Sequence, residues 1–336
     1  MKIQKSIKLE TFIDEVQNIS IMLLKNTKLI PREEYVIYSY LPLLKNDSDG
    51  ELNSDNFYRF RKVSIEHDII GVDASIIPIA ESEKGYVFGL RGAAVKYDHK
   101  LKKYIIYIEG PFILYLTADI LEYFRGYLNS RFFINDLGGV LNYMYAKKVI
   151  LNVYEWLLVR DIVNNNQNTI IILDGVVEPK YLSSNFYKGV IRDSYDNQNY
   201  VVGISKRSRY LKYFSELTSS LLYIGMEGMI SINIPGKRYS RVFIGLLRKG
   251  GYPFRIDILK DTSPSIMNEI YSSNLNIVGY PEVLKEAHVF SKLTRKDSLL
   301  LKAIMARKGI KIKYSEPYRE IIMGVLEHWG EGNEAL

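Results

Sequence analysis

Two long apolar runs in this chain each set an aspartate among aliphatic residues. One is HDIIGVDASIIPIA at 67–80, with Asp73 near its middle; the other is NTIIILDGVVEP at 168–179, with Asp174 after four aliphatic residues. Short Ile- and Val-rich runs of this kind read as buried strands. A carboxylate buried in such a strand is costly unless something pairs with it. Taken singly, either aspartate also fits a strand end in water, and the DG at 174–175 is a common turn dipeptide. The same arrangement in two strands makes a shared purpose worth pursuing.

The rest of the chain supports a substantial core. Its 336 residues are 47% hydrophobic and 25% charged, which suits one large domain with extensions or two modest ones. Nothing requires a boundary between 67 and 310. A net charge of +7 and a pI near 9.1 are compatible with a polyanionic partner and equally with a soluble basic surface. The absence of cysteine excludes disulfides, thiolate metal sites and cysteine nucleophiles. MKIQKSIKLETFIDEV lacks the uninterrupted apolar segment of a signal peptide, and no window has the length and apolarity of a membrane span. The expectation is a soluble, cytoplasmic protein with no membrane partner.

Helical spacing at 6–30 places Ile7, Phe12, Val16, Ile19, Met22 and Leu23 near one another. This segment, ahead of the polar loop KNDSDGELNSDN at 45–56, reads as an accessory helical extension, for dimer or partner contacts or as the core face of an ordinary domain. Three strands follow at 68–80, 85–98 and 102–110, divided by ESEKG and DHKLK into an antiparallel meander. A helix is expected near 137–163, a strand at 169–174, a variable-looking region at 178–199, a strand in NYVVGIS and a helix in RYLKYFSELTSSLLYI. Further strands are expected at 228–234, 241–248 and 253–259, then helices in SPSIMNEIYSS and from Pro281 to about 307. Strands first, then mixed helices and strands, predict an α/β or α+β domain with a mixed sheet.

The helix near 137–163 supplies a third carboxylate. At about 100° per residue, Leu137, Met144, Leu151, Leu158, Val159 and Ile162 fall within roughly 60° of Glu155. Glu155 then points into the stripe that faces the sheet. It either pairs with a buried Arg or Lys, lies at the stripe's edge, or joins Asp73 and Asp174. Three converging carboxylates are most simply held by a divalent ion, and Mg²⁺ and Mn²⁺ prefer such oxygen ligands.

GVDAS, the helical YEWLLVRD, IIILDG, VVGISKRSR and GYPEVLKEAH occur in this chain in that order. The ordered set resembles the NurA nucleases of archaea over about residues 60–310, although no single motif is specific. The resemblance implies an RNase H-like α/β fold: a mixed sheet flanked by helices, with the N-terminal helical extension at 1–60, the nuclease domain at 61–310 and a C-terminal tail at 311–336. It implies a metal-dependent DNA nuclease with 5′–3′ exonuclease and single-strand endonuclease action on single- and double-stranded DNA. Two Mn²⁺ or Mg²⁺ ions, a homodimer and a hexameric HerA-type ATPase are implied as well, in end resection during double-strand break repair. Asp73, Glu155 and Asp174 match the family's acidic positions, and Tyr280 and His288 are implied as further site residues, His288 as a metal ligand. Where the family favours glycine after the first aspartate, this chain has Ala74, which a positive φ would strain.

Basic residues gather near these positions. Lys285, Lys292 and Arg295 are spaced to share the side of the expected helix that carries His288, as a patch for phosphate backbone. SKRSR at 205–209 supplies Lys206, expected to reach the active-site phosphate, and Arg207 and Arg209, expected to hold flanking backbone; a solvated basic turn accounts for it equally. There is no glycine-rich phosphate loop, nucleophile elbow or zinc motif.

Overall fold

A computed structural model describes residues 9–25, 27–31, 52–117, 120, 143–178, 182–206, 226–234 and 237–312. Helix α1 (Leu9–Leu24) leads to the short β1 (Ile30–Pro31) and to β2 (Leu52–Arg59). A meander of β3 (Asp68–Ser82), β4 (Gly85–Asp98) and β5 (Lys103–Thr117) follows, each strand antiparallel to the next. Next come α2 (Tyr143–Asn165), β6 (Thr169–Leu173), α3 (Ser184–Asp196) and β7 (Tyr200–Ser205). Then come β8 (Gly228–Ile232), β9 (Ser240–Leu246) and β10 (Pro253–Leu259), with α4 (Ile266–Ser272), α5 (Glu282–Ser291) and α6 (Arg295–Arg307) last.

The ten strands form one sheet in the order β2-β8-β9-β10-β7-β6-β3-β4-β5, with β1 paired to β3. Within it, β6 lies parallel to both β3 and β7. An antiparallel meander extended by two parallel strands is the expected RNase H-like arrangement. The parallel centre explains why TIIIL shows no alternation: every residue of β6 is buried, because both faces of the sheet are covered. Among the described residues no helix is long and apolar enough to cross a membrane.

Alternation along β3 divides the core in two. Ile70, Val72, Ala74 and Ile76 pack with α2 and α3, while Ile69 packs with Val283 and Leu284 of α5. Gly71 brings α5 close: a Cβ there would lie 2.5 Å from the backbone carbonyl of Val283. By the same alternation Asp73 faces the α5 side.

Several expectations are corrected. Residues 1–60 are not a helical extension throughout, since β2 within them pairs with β8 in the main sheet, and the polar 52–56 are strand and not loop. Nor is α1 merely accessory: Val16, Ile21 and Leu24 are buried, and the helix packs on β5 and α2. The region 178–199 holds α3, whose Ser183 side chain caps Phe186 N–H and whose buried Phe186, Val190 and Ser194 have helical spacing. The strand expected to stop at Gly110 continues to Thr117, absorbing Gly110 and Pro111 in a register shift opposite Leu90 and Gly92. The helix from Pro281 to about 307 is two helices, because Thr294 and Asp297 form a capping box that starts α6 afresh. Leu137 and the helix expected in RYLKYFSELTSSLLYI lie outside the described residues.

Candidate active site

The parallel pairing of β3 and β6 positions the two aspartates. Val72 stands opposite Leu173 in this register. Asp73 and Asp174 follow them, side by side where β6 ends, on strands about 5 Å apart. Strand β7 ends beside them, with Leu173 opposite Gly203, so Lys206 emerges at the same edge. Its Nζ lies 3.1 Å from Asp174 Oδ2. The site therefore sits at the carboxyl ends of parallel strands, where α/β sheets commonly hold ligands.

Helix α5 completes the cluster from above Gly71. His288 Nδ1 lies 3.0 Å from Asp73 Oδ2, and Ser291 Oγ donates to that same oxygen at 2.6 Å. Three further contacts pin the segment after α5. Leu293 N–H donates to Ser75 Oγ at 3.2 Å, and Arg91 reaches Lys292 O at 3.2 Å and Asp297 Oδ1 at 2.6 Å. Asp73, Asp174 and His288 thereby offer ligand atoms all within 4.8 Å of one another, a set that fits a divalent cation.

Glu155 comes from α2, on the opposite layer of the sheet. It is not among the three residues at mutual ligand distance, yet it is close enough for both aspartates to act on it. Burial, then Asp73 and Asp174, push its carboxyl well above the usual range. Part of its surface nonetheless remains accessible. The neighbouring stripe is less selective than the spacing predicts: Leu158 and Val159 are buried, but so are Val149, Val153, Trp156 and Leu157, because α2 is covered by the sheet, α1 and α3. Burial also raises Asp73, against the lowering effects of Ser291 and His288, and Asp174 adds to the rise. Mutual repulsion of buried carboxylates is what a bound cation relieves.

Tyr280 is buried against Phe254, its ring 4.3 Å from Lys206 Nζ. Burial, then Asp174, hold its phenol well above the usual range, and its hydroxyl has no partner of hydrogen-bond geometry among the described residues.

The expected basic patch divides. Lys285 pairs with Glu282 at 2.5 Å and Glu286 at 3.4 Å on the outer surface of α5. Lys292 and Arg295 do not share a helix with His288, since α5 stops at Ser291. Arg207 and Arg209 lie outside the described residues. Ala74 takes ordinary extended backbone opposite Gly92, without a positive φ. Ser291 and Arg91 were not singled out from sequence. TRKD at 294–297 was the available signal that α5 ends nearby, but nothing local ties Ser291 to Asp73.

No family model matches the chain, and no curated protein does. Among solved structures, the NurA nuclease from Sulfolobus solfataricus superposes with a TM-score of 0.51 at 16% identity, over 75% of this chain and 87% of that one. A NurA crystal structure with manganese superposes with a TM-score of 0.50 at 10% identity, over 88% of this chain and 97% of that one. At such identities the likeness is one of fold, and by that measure the chain has a NurA-like fold.

Proposed function

We propose that this chain is a divalent-metal-dependent nuclease that hydrolyses DNA phosphodiesters. The observation that carries the reading is the meeting of Asp73, Asp174 and His288 at ligand distance, with Glu155 and Lys206 beside them. A bound Mn²⁺ or Mg²⁺ would polarise the phosphate and make a nucleophile of its water. Asp73, Asp174 and His288 would hold it, and Glu155 would complete the acidic set; we propose two ions. Lys206, held by Asp174 in the present arrangement, is placed to turn to a phosphate oxygen once a cation takes that carboxylate. Tyr280, kept protonated, can donate a hydrogen bond to the same phosphate.

The finer reading is a 5′–3′ exonuclease with single-strand endonuclease action on single- and double-stranded DNA. Its proposed setting is end resection in the cytoplasm, as a homodimer beside a HerA-type hexameric ATPase, with residues 61–310 as the nuclease region. Fold likeness supports this reading in general terms, and the ordered motifs support it in particular. Ala74, the departure that would favour a non-catalytic DNA- or ATPase-binding subunit, lends that alternative nothing, since its backbone is unstrained.

The test is cleavage of single- and double-stranded DNA labelled at either end, with Mn²⁺ and with chelator. The parent should cut only with metal, and Asp73→Ala should not cut. Equal products from both proteins would overturn the assignment.

A further inference from the structure

Next to the metal-ligand cluster lies a cavity of a different character. It measures about 600 Å³, with Tyr252, Phe254, Val278 and Val289 along its apolar walls and Lys206 and His288 on the side of the cluster. That size belongs to pockets for small organic groups. Phe254 and Tyr280 are buried as its floor, their ring centroids 5.5 Å apart. Tyr252 is 67% exposed and Val289 54% exposed, so the walls present apolar and aromatic surface to water beside a polar site.

The walls are pinned to each other. Tyr252 N–H donates to Val278 O at 3.0 Å, and a Cβ on Gly251 would lie 2.5 Å from the same oxygen. Asn276 Oδ1 accepts from the N–H groups of Val278 and Tyr280, and Gly279 makes the turn with φ +85°. The pocket is thus formed before any ligand arrives, which lowers the cost of filling it.

An aromatic wall beside a phosphate-directed lysine matches the two halves of a nucleotide. Bases in a duplex are already stacked on both faces, whereas an unpaired base offers its face to a protein ring. We propose that this cavity is a stacking subsite for the base of an unpaired nucleotide adjoining the scissile phosphate, with Tyr252 as the stacking ring. The inference rests on the nuclease reading of the neighbouring cluster.

The experiment replaces one nucleotide at a time in a labelled single strand by an abasic analogue. Cleavage with Mn²⁺ is measured for the parent, Tyr252→Ala and Tyr252→Phe. One abasic position should lower parental kcat/KM at the adjacent phosphate roughly 5- to 150-fold, the range expected for a stacked base. Tyr252→Ala should lose a similar factor on the intact strand and no longer sense the abasic position, while Tyr252→Phe keeps both properties. Fluorescence anisotropy of the same strands without metal tests stacking apart from chemistry: the abasic analogue and Tyr252→Ala should each weaken binding and should not add. Base-dependent binding without cleavage by the parent sinks the nuclease reading and leaves the subsite standing. Cleavage and binding that ignore both changes overturn the subsite and leave the nuclease, with the cavity then open to an apolar peptide.

Discussion

Asp73 Oδ2 lies 3.0 Å from His288 Nδ1, although 215 positions separate the two residues. The same oxygen takes the Ser291 hydroxyl at 2.6 Å, so the orientation of the β3 carboxylate depends on where α5 stops.

Ser291→Ala removes that hydroxyl from a buried carboxylate. Hydrogen bonds to charged groups contribute about 1.5–3 kcal/mol, and unfolding by denaturant should show a loss in that range. Mn²⁺ affinity by calorimetry should fall about 10- to 100-fold, as for other groups that orient a metal ligand. Unchanged affinity would remove Ser291 from the site.

Lys206→Ala and Asp174→Asn should have opposite effects on metal. The ammonium 3.1 Å from Asp174 competes with a cation for that carboxylate, so its loss should tighten Mn²⁺ binding. Asp174→Asn should weaken Mn²⁺ binding more than about 100-fold, beyond the range for groups that only orient a ligand. Both variants should lose cleavage, Lys206→Ala by about 100- to 1000-fold if it stabilises charge in the transition state. Weaker metal binding in Lys206→Ala would make the lysine structural.

Glu155 makes metal-free stability depend on pH. Its folded carboxyl titrates well above the ordinary glutamate range, chiefly through burial. Its contribution is therefore fully present below about pH 4.5 and is lost as pH rises from there through the raised folded value. At neutral pH Glu155→Gln should raise the Tm of the chelator-treated protein by about 2 °C or more, while abolishing the gain that Mn²⁺ gives the parent. A lower Tm in the variant would show that Glu155 has a stabilising partner.

Gly71→Ala tests how α5 is held. The new Cβ would sit 2.5 Å from the Val283 carbonyl, so the helix must move off β3. Overpacking of this kind costs about 1–3 kcal/mol. The shift should also carry His288 and Ser291 away from Asp73, so Tm and Mn²⁺ affinity should fall together. A loss of Tm with metal binding intact would mean that the backbone yields elsewhere.

The strands of this protein were largely legible because each carries its own local signal. The meander announced itself through the turns between 68–80, 85–98 and 102–110, and the unbroken TIIIL run reflects a strand covered on both faces. Helix α3 was missed although Phe186, Val190 and Ser194 have helical spacing, because polar residues dominate the segment around them. The long helix from Pro281 was misjudged because its apolar spacing runs on past Ser291, and only the pairing of Thr294 with Asp297 interrupts it. The single helical face on which Lys285, Lys292 and Arg295 were expected to meet ends at Ser291.

The sequence by itself determined that two buried strands would each bring an aspartate, that a long helix would carry Glu155 between them, and that a lysine would follow the next strand. Burial sets those features within a few residues, so they are written locally. Only the tertiary structure decided that Val72 stands opposite Leu173 and that α5 rests on Gly71. Register and helix docking are pairings between distant segments, fixed by how both faces of the sheet are covered. Those two pairings bring Asp73, Asp174 and His288 within ligand distance.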